Sequence, residues 1–163
     1  MNANEKVVGI NTLKRKIAQL RKRKKTIAFT NGCFDLLHYG HVNYLQSARK
    51  KNRILIIGLN SDSSVRRIKG AGRPIVAQQY RAKVLAALSC VDFVTIFSQA
   101  TPLKLIKALK PGVLIKGADW KGKEVVGAQF VRSYGGKVEL VKYLPGLSTS
   151  KMVDSIVKSV RRK

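Results

Sequence analysis

His38 and His41 are the only histidines in the chain, and both fall in one block, TNGCFDLLHYGH, from Thr30 to His41. Two imidazoles at i and i+3 around Gly40, at the start of a helical stretch, project near each other and near that helix's free N–H groups. An anion such as a triphosphate suits that place, because helix N-termini and imidazoles both favour negative charge. Zinc is the competing chemistry. Cys33 and Asp35 are close in sequence, but the glutamate of H-E-x-x-H and a distant third histidine are missing, so no metal site built from protein side chains is expected. The chain has neither a G-x-x-x-x-G-K-[ST] loop nor a G-x-G-x-x-G turn, which removes the main support for a P-loop or dinucleotide-binding assignment.

Other residues carry two readings each. The Ser148–Thr149–Ser150 run precedes an apolar helix and reads either as an N-cap or as a phosphate cradle. Arg66, Arg67, Lys69 and Arg73 form either a solvated loop or a phosphate-facing one, and Trp120 either covers apolar surface or stacks on a ligand. Phe34, Tyr39 and Tyr44 read as packing residues first. Cys33 and Cys90 read as small apolar fillers, with no histidine left over to activate them.

The elements that must position these groups alternate between strand and helix. Leu13, Ile17 and Leu20 recur at helical spacing behind Asn11, a candidate N-cap. Strands are expected at Thr26–Thr30, Arg53–Asn60, Phe93–Phe97, Val113–Lys116 and Lys137–Tyr143. Helices are expected from the histidine block through Ala48, then at Gln78–Leu88, from Thr101–Pro102 to Leu109, at Val125–Tyr134 and at Ser150–Val160. Within Gln78–Leu88, Ala82, Leu85, Ala86 and Val84 are inward candidates. Residues 61–74, SDSSVRRIKGAGRP, read as a polar loop. RILIIGLN has the near-continuous apolar character of a parallel strand covered on both faces. The alternation predicts a three-layer α/β sandwich on a parallel, doubly wound (Rossmann-like) sheet of about five strands, with ligands beyond the strands' carboxyl ends. One domain spanning 1–163 is expected, with 1–25 as a basic N-terminal arm and helix.

With 33 Lys plus Arg against 8 Asp plus Glu, the chain carries a formal charge of +25 at pH 7. Such a balance attracts polyanions: nucleic acid, an anionic membrane surface or phosphorylated small molecules. A 45% hydrophobic content excludes a disordered basic tail for the bulk of the chain. The apolar runs are too short to span a bilayer, no apolar leader is recognisable, and the two cysteines form no staple pattern, so a cytoplasmic, membrane-free location is expected. Residues 1–25 hold nine of the cations and one acid, and the rest of the charge lacks interleaved aromatics. That weakens the case for a single-strand binding groove.

TNGCFDLLHYGH resembles the first signature of the nucleotidyltransferase superfamily defined by H-x-G-H, which contains cytidylyltransferases and adenylyltransferases. The blocks LNSDSSVRRIKGAGRPIVAQQYRAKVLAALSCVDFVTIF, LIKGADW and GGKVELVKYLPGLSTSKMV resemble, in order, the heptose 1-phosphate adenylyltransferase domain, from about Thr26 to Ile156. The resemblance implies transfer of AMP from ATP to D-glycero-β-D-manno-heptose 1-phosphate, giving ADP-heptose and pyrophosphate, with Mg²⁺ as cofactor. It implies catalytic roles for His38, His41 and Lys116. Nucleotide and phosphate contacts would come from Thr30, Gly32, Phe34, Gly40, Lys69, Arg73, Arg81, Ser148, Thr149 and Ser150. Acceptor contacts would come from Asp35, Asp119 and Trp120. It also implies a place in lipopolysaccharide core biosynthesis, a separate sugar kinase in the same pathway, and a homodimer. Related sequences tend to carry acids after the third strand, where this chain has Gln99 and Ala100, which puts an acceptor contact there in doubt. Alternatives are transfer to another phosphorylated acceptor such as glycerol 3-phosphate or FMN, and a basic nucleic-acid-binding module as the lesser possibility.

Overall fold

Five parallel strands and the helices that follow them account for most of a computed structural model, which describes residues 2–120, 122–142 and 146–161. The strands are β1 (Thr26–Gly32), β2 (Arg53–Asn60), β3 (Phe93–Phe97), β4 (Val113–Gly117) and β5 (Lys137–Val141), in the order β3-β2-β1-β4-β5. The helices are α1 (Ala3–Lys6), α2 (Ile10–Lys22), α3 (Tyr39–Ala48), α4 (Asp62–Lys69), α5 (Gln78–Ala87), α6 (Leu103–Leu109), α7 (Ala128–Arg132) and α8 (Thr149–Val160). A 3₁₀ turn, Ala118–Trp120, follows β4.

Alternate strand residues enter opposite cores, as the two-residue strand period requires. Ala28, Leu55, Ile57, Leu59 and Ile115 pack with Tyr44, Leu45 and Ala48 of α3 and with Ala82, Leu85 and Ala86 of α5. Ile27, Phe29, Ile56 and Leu114 pack on the other face with Leu13 and Ile17 of α2, with Leu105, Ile106 and Leu109 of α6, and with Ala128 and Val131 of α7. The chain therefore winds outward from β1 to β3 over one face and returns from β4 to β5 over the other. Its direction reverses between β1 and β4, where a doubly wound sheet opens a crevice at the carboxyl ends of its strands.

Several expected boundaries shift. Residues 61–74 are not all loop, because α4 occupies Asp62–Lys69. Its apolar content is only Val65 and Ile68, so periodicity hides it. The capping chemistry forms it instead: Ser61 accepts from Ser64 N–H at 3.2 Å, Asp62 sits in the first turn, and Arg66, Arg67 and Lys69 lie in the last. Gly9, rather than Asn11, caps α2, and α1 is an unexpected turn closed by the reciprocal Asn2–Glu5 cap. Pro102 stands at the cap of α6 rather than inside its first turn. Val84 faces outward, with 48% of its surface exposed. The helix expected over Val125–Tyr134 contracts to α7, and β5 ends at Val141, with Tyr143 outside the described residues. α2 belongs to the domain core through Leu13 and Ile17. Among the described residues no helix is long and apolar enough to cross a membrane.

Candidate active site

The crevice between β1 and β4 is built from their last residues and the turns that follow. Asn31 and Lys116 stand 85 positions apart in the chain, and Lys116 Nζ donates to Asn31 Oδ1 at 2.6 Å across the point where the winding reverses. Two lobes open here. One, of about 160 Å³, is lined by Asn31, Tyr44, Lys116, Gly117 and Trp120, with Lys116 Nζ 5.3 Å from the Trp120 ring centroid. The other, of about 610 Å³, is lined by Asp35, Val65, Lys69, Arg73 and Ser148–Ser150. Gly32, Cys33, Phe34 and His41 line both, so His41 stands at the seam.

The histidine pair is held by its local backbone. His38 is the N-cap residue of α3, and its ring stacks on that of His41 with centroids 3.9 Å apart and planes at 27°. The His38 N–H points to His41 Nδ1 at 3.4 Å, so a neutral His41 carries its proton on Nε2. Phe34, in left-handed backbone at φ 44, braces His41 from the other side at a ring separation of 5.2 Å. Burial, together with the neighbouring His38, pushes His41 down to about 4, and burial lowers His38 too. At neutral pH the pair is therefore uncharged. His38 Nδ1 and Nε2 are buried without a hydrogen-bond partner among the described residues, an arrangement that carries a desolvation cost.

Glycine is required where these rings crowd the backbone. A Cβ on Gly32 would stand 3.0 Å from the Phe34 ring, and one on Gly40 would stand 3.0 Å from Cε1 and Nδ1 of His38 and 3.4 Å from Leu147 Cβ. Gly40→Ala is expected to displace the His38 ring. Turnover should fall by about 10–100-fold, the scale of a misplaced catalytic geometry, while alanine's better helix propensity holds or raises the melting temperature. Steady-state rates and thermal unfolding of the same preparation check both halves.

Two expected ligand contacts lie off the lobes, and a third, on the larger lobe, is taken up inside the chain. Thr30 is 1% exposed and its hydroxyl is bonded to Tyr44 Oη at 2.7 Å, beneath the cleft rather than on its wall. Arg81 is 2% exposed and lines neither lobe. Its Nε donates to Val76 O, its Nη1 to Cys33 O and Asn60 O, and its Nη2 to Asp62 Oδ1. It ties the first-strand loop to the ends of β2 and α5. Asp35 is likewise taken up inside the chain, accepting from Arg73 Nη1 at 2.7 Å, Ile75 N–H at 2.8 Å and Val76 N–H at 2.9 Å. It does not share a lobe with Trp120, so the expected acceptor set of Asp35, Asp119 and Trp120 is divided; the Asp119 side chain lies outside the described residues. Gln99 and Ala100 are exposed and line neither lobe.

Ser148 serves as a cap, its Oγ accepting from Lys151 N–H at 3.2 Å, while Ser148, Thr149 and Ser150 all line the larger lobe. Lys69 and Arg73 line that lobe as well. Asn31 and Val65 are wall residues that the sequence did not single out. Asn31 was legible only through its place at the carboxyl end of β1.

Asp35 works as a latch on the Gly70–Val76 segment. Burial alone would raise its pKa; the N–H groups of Val76 and Ile75 and the Arg73 guanidinium outweigh that and hold the carboxyl below its ordinary value. A depressed folded-state pKa contributes stability that is present above the unfolded-state value and lost as pH falls through the folded one. Asp35→Asn is therefore expected to cost about 1–3 kcal/mol at neutral pH, with a smaller gap from the parent in acid. Urea unfolding of both proteins at neutral and acidic pH measures it.

Chemically the cleft offers cations, N–H donors and neutral imidazoles, with no activated nucleophile. Burial pushes the Cys33 thiol up, against the partial relief from Lys69 and Arg81, so it is not a thiolate at neutral pH. Among the described residues no group of three or more His, Cys, Asp or Glu is gathered that could hold a metal ion.

The Cytidylyltransferase-like family model matches residues 29–152. "Bifunctional protein HldE" of Syntrophotalea carbinolica is 53% identical over 137 residues, covering 84% of this chain and 28% of the relative. Its namesake in Geotalea uraniireducens is 50% identical over 155 residues, covering 95% of this chain and 32% of the relative. The chain thus spans about a third of the length of these relatives. Among solved structures, the lipopolysaccharide core biosynthesis protein of Thermoplasma volcanium aligns with a TM-score of 0.59 and 25% identity, over 73% of this chain and 96% of that one. The paired histidines, the parallel five-stranded sheet and a family match across most of the chain lead to one conclusion: it belongs to the cytidylyltransferase-like family of nucleotidyltransferases.

Proposed function

We propose that this chain transfers AMP from ATP to D-glycero-β-D-manno-heptose 1-phosphate, releasing pyrophosphate. The observation that carries the reaction class is the uncharged His41 at the seam of two lobes, stacked on His38 at the N-cap of α3, with Lys69, Arg73 and Lys116 on the lobe walls. The heptose rests on the resemblance of the blocks around Lys69–Arg73, Lys116–Trp120 and Ser148–Ser150. It is supported by the likeness to the Thermoplasma volcanium lipopolysaccharide core biosynthesis protein. The bifunctional relatives are about three times as long, which accords with a second activity outside the matching region. We read that activity as the sugar kinase that supplies the 1-phosphate.

The reaction balances without a protein nucleophile. An oxygen of the acceptor phosphate attacks the α-phosphorus, the bond from that phosphorus to the bridging oxygen breaks, and pyrophosphate leaves with the electron pair. The acceptor oxygen is already anionic, so no strong base is needed; the work is alignment and stabilisation of charge on the equatorial oxygens. His41 Nε2–H donates at the α-phosphate. The protonated ring nitrogen of neutral His38 donates to the triphosphate. Lys69, Arg73 and the α8 N-terminus take phosphate charge, and the flat Trp120 wall with Lys116 takes a ring. Asp35 and Arg81 hold the loops that carry these groups. Mg²⁺ would arrive with the nucleotide as part of the substrate and would offset triphosphate charge beside Lys69 and Arg73.

Pyrophosphate release tests the reading, with ATP or CTP crossed against heptose 1-phosphate, glycerol 3-phosphate and FMN. Turnover with ATP and heptose 1-phosphate is the expected result. Preference for CTP, or turnover only with a non-sugar acceptor, overturns the substrate assignment.

A further inference from the structure

The cleft uses few of the chain's 33 cations, and the fold decides where another group of them goes. Helices α2, α3, α5, α6 and α7 all end where the next strand begins, so five C-terminal dipoles gather at the end of the sheet opposite the cleft. Each is equivalent to about half a negative charge, about −2.5 altogether. Against that stand the unbroken Arg21–Lys25 run before β1, Lys51 before β2, Lys110 before β4 and Lys137 at the start of β5, all exposed except the half-buried Lys25.

Short bonds fix these segments to one another. Lys25 Nζ donates to Asn52 Oδ1 at 3.2 Å, Arg21 Nη2 to the carbonyls of Leu109 and Lys110 at 2.6 Å, and Lys137 N–H to Gly112 O at 2.9 Å. The acids at this end are engaged elsewhere: Asp92 pairs with Arg49, Glu139 with Arg53 and Lys50, and Glu5 lies in its cap with Asn2. None of the eight cations has an acid partner among the described residues. Eight positive charges exceed what five helix ends offset by more than five.

The cations follow the row of strand starts from β2 through β1 and β4 to β5. Three strand spacings of about 4.8 Å make that row about 14 Å long. It is linear, and it presents neither an apolar wedge for a bilayer nor an open aromatic platform for bases. Tyr134, the large aromatic at this end, is tied by its hydroxyl to Pro111 O at 2.8 Å. About 14 Å of duplex axis carries about eight phosphate charges. We infer that the end of the sheet opposite the cleft binds the phosphate backbone of duplex nucleic acid, without sequence preference and independently of nucleotidyl transfer.

The test uses the 163-residue chain and a short random-sequence DNA duplex, titrated between about 50 and 200 mM salt. The parent should bind with a slope of log K against log salt between about −4 and −7, at about −0.9 per phosphate neutralised. Lys22, Lys24 and Lys51 changed together to glutamine should flatten that slope by about 2–3 and weaken binding at least about tenfold at mid-range salt. Lys83, Lys104 and Lys123 changed together remove the same net charge from other exposed positions and should weaken binding less than about threefold. Pyrophosphate release should be unchanged in both variants. Equal weakening by the two triple variants, or no duplex binding by the parent at the lowest salt, overturns the inference. Binding to phosphatidylserine-containing vesicles but not to duplex assigns the surface to a membrane and overturns it as well.

Discussion

His41→Ala is expected to lower kcat for nucleotidyl transfer by about 10²–10³-fold, or about 2.7–4 kcal/mol in barrier, with little change in the melting temperature. The size follows from position. His41 lines both lobes, so its Nε2–H lies where a phosphorus passing between nucleotide and acceptor has to lie. The ring is held on one side by His38 at 3.9 Å and on the other by Phe34 at 5.2 Å, and the His38 N–H sets the tautomer. A donor fixed in this way needs no reorganisation when negative charge moves onto the equatorial oxygens, which is why its loss falls on kcat more than on KM. His41→Asn, which keeps a donor in a shorter side chain, should recover part of the rate. The pKa of about 4 adds a pH signature. In the free enzyme His41 stays neutral down to mildly acidic pH, so its protonation limb of kcat/KM should appear near pH 4 rather than near 6.5. Steady-state kinetics across pH measure this, and a normal rate in the alanine variant removes His41 from the chemistry.

Arg81→Met should destabilise the protein by about 3–5 kcal/mol, the scale for removing one partner of a buried, hydrogen-bonded ion pair. At the entropy of unfolding of a chain this size, that lowers the melting temperature by roughly 10 °C or more. The variant strands the carbonyls of Cys33, Asn60 and Val76 and leaves Asp62 without its guanidinium. Arg81→Lys should rescue only a small part. A single ammonium cannot span four acceptors that a planar fork reaches together. Thermal unfolding with activity at a temperature where the variant is folded separates the roles. An unchanged melting temperature with a raised nucleotide KM would place this side chain in the pocket instead.

Both predictions turn on residues that looked alike before folding was considered. Arg81, Arg73 and Lys69 are all cations downstream of β2, and the resemblance sends all three toward phosphate. Only the packing separates Lys69 and Arg73, on the larger lobe, from Arg81, sealed under the loop. Asp35 changes role for the same reason. A carboxylate beside a phosphate site reads as a ligand, until three donors from the Arg73–Val76 segment prove to occupy it.

What the sequence determined by itself is local. Near-continuous apolar runs marked β2 and its neighbours as buried parallel strands, the 3.6-residue spacing of Leu13, Ile17 and Leu20 marked α2, and the His38–Gly40–His41 block at a strand end marked the chemistry. Those signals survive translation because each depends on residues within one or two turns of one another. α4 escaped detection because its stability comes from a serine cap and charges on a dipole rather than from an apolar stripe. The tertiary structure alone decided the strand order. Pairing β1 with β4 brings Asn31 to Lys116 and opens the cleft between them. It also decided where the charge gathers. Composition gives +25 with no location, while the common polarity of five parallel strands sends the basic run before β1, together with Lys51, Lys110 and Lys137, to the end away from the paired histidines. Direction along a strand is fixed by the chain, but which strands lie side by side is fixed by long-range burial, and that sum over distant residues is not written in any one segment.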